Sequence, residues 1–264
     1  MKSIVAAIHG ILTSQTDPSW PDKFDAWMFE RDPEVKVVKK EYRAGPFPRW
    51  NCWVRDPLLA RSLANELELF LTQPRGKDGF HSVPDLVPHY SAARPLWLVA
   101  HRNGAVIALL TARNLIARGH KIGGLILTGA ACEADIDRNG VLEWQCRGML
   151  GPAIAYSSAE DSVLDGDPSE PFTRHDSPLT NLISRARALL WGQVIWPYGC
   201  LGRTGWLMGG KPLSAPNSRF TTHRSPITGL GTRWFSGGHS GYFAPQNIAR
   251  TFEQIYQDLK AVAA

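Results

Sequence analysis

Short apolar runs rich in β-branched residues alternate along the chain with longer stretches whose apolar positions recur every three or four residues. The short runs predict strands, which lie at residues 3–8, 35–42, 96–100, 125–128, 153–157 and 220–223. The longer stretches predict helices, which lie at residues 20–29, 57–71, 105–118, 179–191 and 245–261. This alternation predicts an α/β fold, with a mostly parallel, doubly wound sheet of about six strands and helices on both faces.

The periodic pattern weakens between residues 166 and 217, where glycines and tryptophans are frequent and a single helix is predicted. A long irregular segment within a compact domain is commonly functional, for example as a lid. This one is too short and too irregular to fold alone. We therefore expect one domain over residues 1–264, with a lid-like insertion at 166–217.

Composition and charge describe an ordinary globular chain, with 44% hydrophobic residues, 20% charged residues and a net charge of +5. The basic residues are scattered and form no recognition module, so we expect no nucleic-acid partner. No apolar run approaches the length of a membrane span, and the first run is too short for a signal peptide, so we expect a cytoplasmic protein. No CxxC spacing occurs, so we expect no metal, no other cofactor, and reduced structural thiols at the four cysteines: Cys52, Cys132, Cys146 and Cys200.

Three motifs follow predicted strands, at the edge where a parallel sheet gathers its active-site loops. The first is LWLVA-HRNG-AVIALL, a strand, a tight turn centred on Arg102 and a helix. The second is the acidic loop after residues 153–157, where Asp161 is preferred to Glu160 and Asp165. The third is His239 in FSGGHSGYF, before the last helix. The order along the chain is therefore elbow, acid, histidine.

In that order, the motifs IHGI, VAHRNGA, EDSVL and GGHSGYF resemble those of the α/β-hydrolase superfamily, esterases and lipases in particular. The resemblance runs from Ile4 to about Leu259 and implies a minimal core that lacks the family's first antiparallel strands. It also implies hydrolysis of a carboxylic ester or a related acyl bond of a small molecule. No metal or organic cofactor is implied.

The resemblance assigns a role to each matching position. Residue 102 stands at the nucleophile position, His239 would shuttle the proton, and Asp161 would orient the imidazole. The backbone N–H groups of Ile11 and Asn103 would bind the oxyanion. Four further residues support the elbow and the loop after the first strand: His9, Gly10, His101 and Gly104. Of these, His101 is expected to pack and form hydrogen bonds rather than to act as a base.

The chain departs from the family pattern at the nucleophile itself, because arginine replaces serine at position 102. A guanidinium stays protonated and has no nucleophilic lone pair, so the covalent serine mechanism cannot operate here. Four interpretations stay open. In the first, the chain is an inactivated copy of the enzyme, and in the second, Arg102 binds an anionic ligand in a non-catalytic protein. In the third, Arg102 forms a structural ion pair with Asp161, and in the fourth, the elbow lies elsewhere in the sequence. A hydrolase that activates water through His239 and Asp161 is a further alternative. The sequence predicts no oligomeric state.

Overall fold

The computed structural model describes residues 3–11, 19–42, 48–72, 95–161, 164, 200–213, 229–238 and 241–261. Within these residues one parallel sheet contains six strands: β1 (Ile4–Ile11), β2 (Lys36–Tyr42), β3 (Leu96–His101), β4 (Gly124–Thr128), β5 (Ala153–Ser157) and β8 (Leu230–Trp234). Their order across the sheet is β2-β1-β3-β4-β5-β8. Two short strands, β6 (Leu207–Met208) and β7 (Lys211–Pro212), form a separate antiparallel hairpin.

Helices cover both faces of the sheet because the side chains of each strand alternate between two apolar cores. In β1, Ile4, Ala6 and Ile8 face one core and Val5 and Ala7 face the other. The first core is shared with α2 (Pro48–Thr72) and α3 (Gly104–Ala117), and the second with α1 (Trp20–Arg31) and α7 (Ile248–Lys260). Short helices α4 (Ile136–Asn139), α5 (Val141–Cys146) and α6 (Leu201–Thr204) follow β4 and precede β6. The predicted α/β fold is confirmed.

The strand order reverses direction between β1 and β3. From β1 the chain adds β2 on one side, then returns to place β3 on the other side and continues outward to β8. In open parallel sheets the crevice at such a reversal, beyond the carboxyl ends of the strands, is where ligands bind. The loop after β1 and the turn after β3 therefore lie at the point where this fold is expected to carry a site.

Two boundaries differ from the sequence prediction. Helix α2 was expected to begin at Pro57 but begins at Pro48 and contains Pro57. A proline lacks a backbone N–H both in the first turn of a helix and in its interior. The presence of Pro57 alone therefore does not show where the helix begins. Strand β8 was missed because four of its five residues are half-buried, which leaves no continuous apolar run. The strand expected at 220–223 lies outside the described residues.

Part of the expected insertion packs on the carboxyl edge of the sheet. Residues 200–213 carry α6 and the β6–β7 hairpin, whereas 166–199 and 214–217 lie outside the described residues. The N–H of Gly202 donates to the carbonyl of Ala130 at 2.8 Å, and the N–H of Ser158 donates to the carbonyl of Gly202 at 2.8 Å. This segment therefore joins the loops after β4 and β5. As far as the chain is described, it contains no helix with the length and hydropathy needed to cross a membrane.

Candidate active site

The turn after β3 has the backbone geometry of a sharp strand-to-helix elbow. Arg102 has φ of 56°, and in the described part of the chain it is the one non-glycine residue with positive φ. This left-handed conformation costs an L-residue roughly 1–2 kcal/mol. The surrounding backbone holds it in place. The N–H of Arg102 donates to Thr128, and its carbonyl accepts from Ala105 and Ala131, at 3.1, 3.1 and 3.2 Å.

The elbow packs directly against the end of β1, and glycine makes this approach possible. A Cβ on Gly10 would lie 2.8 Å from the carbonyl oxygen of His101 and 2.9 Å from the Cβ of Arg102. A Cβ on Gly104 would lie 2.7 Å from the carbonyl oxygen of Ile8. The structure therefore brings together the loop after β1 and the turn after β3, the two elements expected to form an oxyanion site.

Asp161 lies buried in the turn after β5. Its N–H donates to the carbonyl of Ser158 at 3.0 Å, and its Oδ1 accepts from the N–H of Leu164 at 3.2 Å. Burial lowers the pKa of the Arg102 guanidinium, and the negative charge of Asp161 offsets only part of that lowering. The acidic loop and the elbow thus interact electrostatically.

The loop that carries the predicted histidine is attached to the acidic loop. The N–H of Gly237 donates to the carboxylate of Glu160 at 2.8 Å, so Glu160 is engaged in holding this loop. Both His239 and Asp165 lie outside the described residues. The role of His239 stays a prediction, and the described backbone on its N-terminal side lies beside the residues that follow β5.

The two histidines near the elbow are structural in character. His9 is half-buried and donates from Nδ1 to the carbonyl of Gly10 at 2.8 Å. Burial lowers the pKa of His9, the hydrogen bond to Gly10 raises it in part, and the positive charge of Arg102 lowers it further. His101 is buried with its ring edge-on to Phe243, at 4.9 Å between ring centroids. This is the packing position expected for it.

The two predicted oxyanion donors belong to two neighbouring elements, the end of β1 and the turn before α3. Asn103 precedes the first residue of α3 in helical conformation, and its buried amide donates from Nδ2 to the Asp56 carboxylate at 3.2 Å. Ile11 ends β1 and pairs with Tyr42 after a shift in the strand register. Their donor roles stay predictions. The contact from Asp56 to Asn103 was not predicted, because it joins residues far apart in the sequence.

Tyr242 is a second residue that the sequence analysis missed. It follows β8 in a short 3₁₀ turn, Gly241–Phe243, and its ring is 6.3 Å from that of His101 between centroids. Its hydroxyl is buried and has no hydrogen-bond partner within the described structure. Burial raises the pKa of this hydroxyl, and the charge of Asp161 raises it further. The sequence could have indicated Tyr242 only through its position three residues after His239.

Two serines at the end of β5 are engaged in hydrogen bonds. Ser157 is buried and donates its hydroxyl to the carbonyl of Leu201 at 2.8 Å. The buried Ser158 hydroxyl accepts from the N–H of Glu160 at 3.3 Å. Over the described ranges there is also no group of three or more His, Cys, Asp or Glu side chains that could hold a metal ion. The residue at the centre of the elbow is the half-buried Arg102.

Comparisons with known proteins give only weak similarities. No family model and no curated protein matches the chain. Solved structures that resemble it include human thioesterase 2, at 11% identity over 100% of this chain and 99% of that chain, with a TM-score of 0.47. A RedJ thioesterase from the prodiginine pathway of Streptomyces coelicolor is 14% identical over 97% and 90% of the two chains, with a TM-score of 0.46. The type II thioesterase YbtT is 16% identical over 100% and 95%, with a TM-score of 0.45. With TM-scores below 0.5, none of these carries the fold assignment, which rests on the strand order and layers of this chain.

Proposed function

We propose that this chain has the scaffold of an acyl hydrolase of the serine esterase type, in which Arg102 has replaced the nucleophile and blocks the formation of an acyl-enzyme. The observation that carries the proposal is the φ of 56° at Arg102. A strained, left-handed residue between a buried strand and a helix is the backbone that exposes a nucleophile above a parallel sheet. Arginine gains nothing from this strain by itself, so the backbone is best explained as a retained elbow.

The surroundings of the elbow support this proposal. Gly10 places the end of β1 against the elbow, where Ile11 and Asn103 can present backbone N–H groups to an oxyanion. Asp161 lies after β5 and next to the loop that leads to His239. In this scaffold a serine at position 102 would attack the acyl carbon, His239 would take its proton, and Asp161 would orient the imidazole.

The direct test restores the nucleophile. We expect Arg102→Ser to hydrolyse short p-nitrophenyl esters at a rate at least tenfold above that of the unmodified chain, because the elbow, the acid and the oxyanion donors are all retained. Arg102→Ala is the matched control, since it removes the cation without adding a nucleophile. Arg102→Ser combined with His239→Ala should lose the gain.

Two outcomes would contradict the proposal. A folded Arg102→Ser variant with no turnover on a broad panel of acyl esters would mean that the elbow does not belong to an acyl-hydrolase site. Ester hydrolysis by the unmodified chain that is lost in His239→Ala would instead indicate water activation by the histidine and the acid, without a covalent step.

A second candidate function is the binding of a small anion by Arg102. The observation that favours it is the position of Arg102, two residues before the first residue of α3, where its half-buried guanidinium adds a positive charge to the helix N-terminus. A carboxylate or phosphate bound there would be attracted both by the guanidinium and by the N-terminus of α3. In a thermal-shift experiment with acetate, butyrate and phosphate, we expect one of them to raise Tm by a few degrees. Arg102→Ala should abolish the rise and Arg250→Ala, at an exposed position of α7, should keep it. A chain whose Tm responds to none of these anions would exclude this function.

A further inference from the structure

Two cysteines that play no part in the proposed function lie close together beside the elbow. Cys132 is in the loop after β4, and Cys200 directly precedes α6. The N–H of Leu201 donates to the carbonyl of Cys132 at 3.3 Å. With ordinary bond lengths, this hydrogen bond holds the Cα atoms of the two cysteines within about 8 Å of each other. Disulfides span about 4.4–6.8 Å between Cα atoms, so a small local adjustment brings this pair into range.

The two thiols differ in access to solvent. Cys132 is wholly buried, whereas Cys200 is half-buried, and both are free in this structure. Burial raises the pKa of the Cys200 thiol, and the Thr204 hydroxyl, which donates to its Sγ at 3.6 Å, offsets part of that rise. Burial raises the pKa of Cys132 well above its ordinary value, and the adjacent Glu133 and Cys200 add to the rise. A reagent from solution therefore meets Cys200 first, with Cys132 behind it.

We infer that Cys132 and Cys200 form a thiol-exchange site whose substrate is a low-molecular-weight disulfide of the glutathione type, and that the product is a reversible Cys132–Cys200 disulfide. The Cys200 thiolate attacks one sulfur of the small disulfide, which forms a mixed disulfide and releases one small thiolate. Cys132 then gives up its proton and attacks the Cys200 sulfur, which releases the second small thiolate. Two protein thiols are oxidised, one small disulfide is reduced to two thiols, and the two protons go to the released thiolates.

This bond would fasten residues 200–213 to the loop after β4. That loop is itself tied to the elbow, because the N–H of Ala131, next to Cys132, donates to the carbonyl of Arg102. Gly202 and Ser158 already join the same segment to the loop after β5. A disulfide here would add a covalent connection between two elements that the native structure already holds in contact, so it should stabilise the folded chain.

Peptide mapping of the full chain tests this inference without any substitution. The protein is equilibrated with mixtures of reduced and oxidised glutathione, quenched with acid, alkylated and digested. We expect a linked peptide pair that contains Cys132 and Cys200, that increases with the oxidised fraction and that disappears with dithiothreitol. The intact chain should be lighter by two hydrogen atoms and should melt several degrees higher than the reduced chain.

Variants identify the order of the steps. Cys132→Ala should stop at a glutathione adduct on Cys200, whereas Cys200→Ala should leave Cys132 unmodified in the folded state. Cys146→Ala is the matched control, since Cys146 is exposed and outside the pair, and it should still form the link. The inference is overturned if the unmodified chain takes up glutathione on Cys146 but yields no Cys132–Cys200 peptide at the most oxidising mixture. A link that joins Cys146 or Cys52 in its place overturns it as well.

Discussion

Two arginines in the described part of the chain, Arg233 and Arg102, each interact with a buried aspartate, and the pKa values of their guanidinium groups shift in opposite directions. Arg233 at the edge strand β8 donates from Nε to Oδ2 of Asp258 at 2.7 Å and from its second terminal nitrogen to Oδ1. The Tyr156 hydroxyl donates to the same carboxylate at 2.5 Å. Burial alone would lower the pKa of Arg233, but the hydrogen bonds and charge of Asp258 raise it overall. This cation is fully compensated by its partners.

Arg102 differs in both conformation and charge balance. Its backbone is left-handed, and the pKa of its guanidinium is lowered by burial because Asp161 compensates the charge only in part. The pair of Arg233 and Asp258 combines a regular backbone with two-pronged hydrogen bonds. The positive φ of Arg102 distinguishes the elbow from that pair, and it is the feature on which the proposed function depends.

The largest expected effect is on stability when each aspartate is neutralised. Asp258→Asn should lower the free energy of unfolding by about 3–5 kcal/mol, because it leaves Arg233 buried without its carboxylate. Asp161→Asn should cost about 1 kcal/mol, because a half-buried arginine is also stabilised by solvent. Urea unfolding of both variants and the unmodified chain gives the two values. Equal losses would mean that the two pairs do not differ in the way described.

A smaller effect is expected for the coupling energy between Arg102 and Asp161 at the elbow. In a double-mutant cycle of Arg102→Ala and Asp161→Asn, we expect a favourable coupling energy of about 1 kcal/mol, since Arg102 is only half-buried and solvent screens its charge in part. The same cycle on Arg233→Ala and Asp258→Asn should give a coupling energy about twice as large or more. Coupling near zero at the elbow would show that Asp161 is not a partner of Arg102.

The smallest expected effect is on the pKa of a nearby histidine, His9. Since the charge of Arg102 lowers the pKa of His9, Arg102→Ala should raise that pKa by a fraction of a pH unit. The variant should also lose less stability as pH falls through the unfolded pKa of histidine, because a lowered folded-state pKa disfavours folding once His9 must be charged. NMR titration of the His9 ring measures the shift, and Arg250→Ala serves as the control. An unchanged pKa would mean that Asp161 already cancels the field of Arg102.

The sequence predicts a strand or a turn well where one local pattern of residues determines it. The sequence alone places Arg102 at the elbow, because the runs of β1, β3 and β4 are continuously apolar and a tight turn precedes α3. Strand β8 lacks such a run, because four of its five residues are half-buried.

Contacts between segments that are far apart in the sequence cannot be predicted in the same way. The hydrogen bond from Asn103 to Asp56 and the approach of Tyr242 to His101 depend on how β3, α2 and the turn before α7 pack together. No periodicity encodes those distances. The lowered pKa of the Arg102 guanidinium is likewise a property of burial in the folded chain.

Covalent labelling can show whether Arg102 occupies a retained nucleophile elbow. A fluorophosphonate reacts with a serine that is activated by a histidine and faces an oxyanion site. We expect intact-mass analysis to show one stoichiometric adduct on Arg102→Ser, located at residue 102, and none on Arg102→Ala or the unmodified chain. A folded Arg102→Ser chain that stays unlabelled would contradict it.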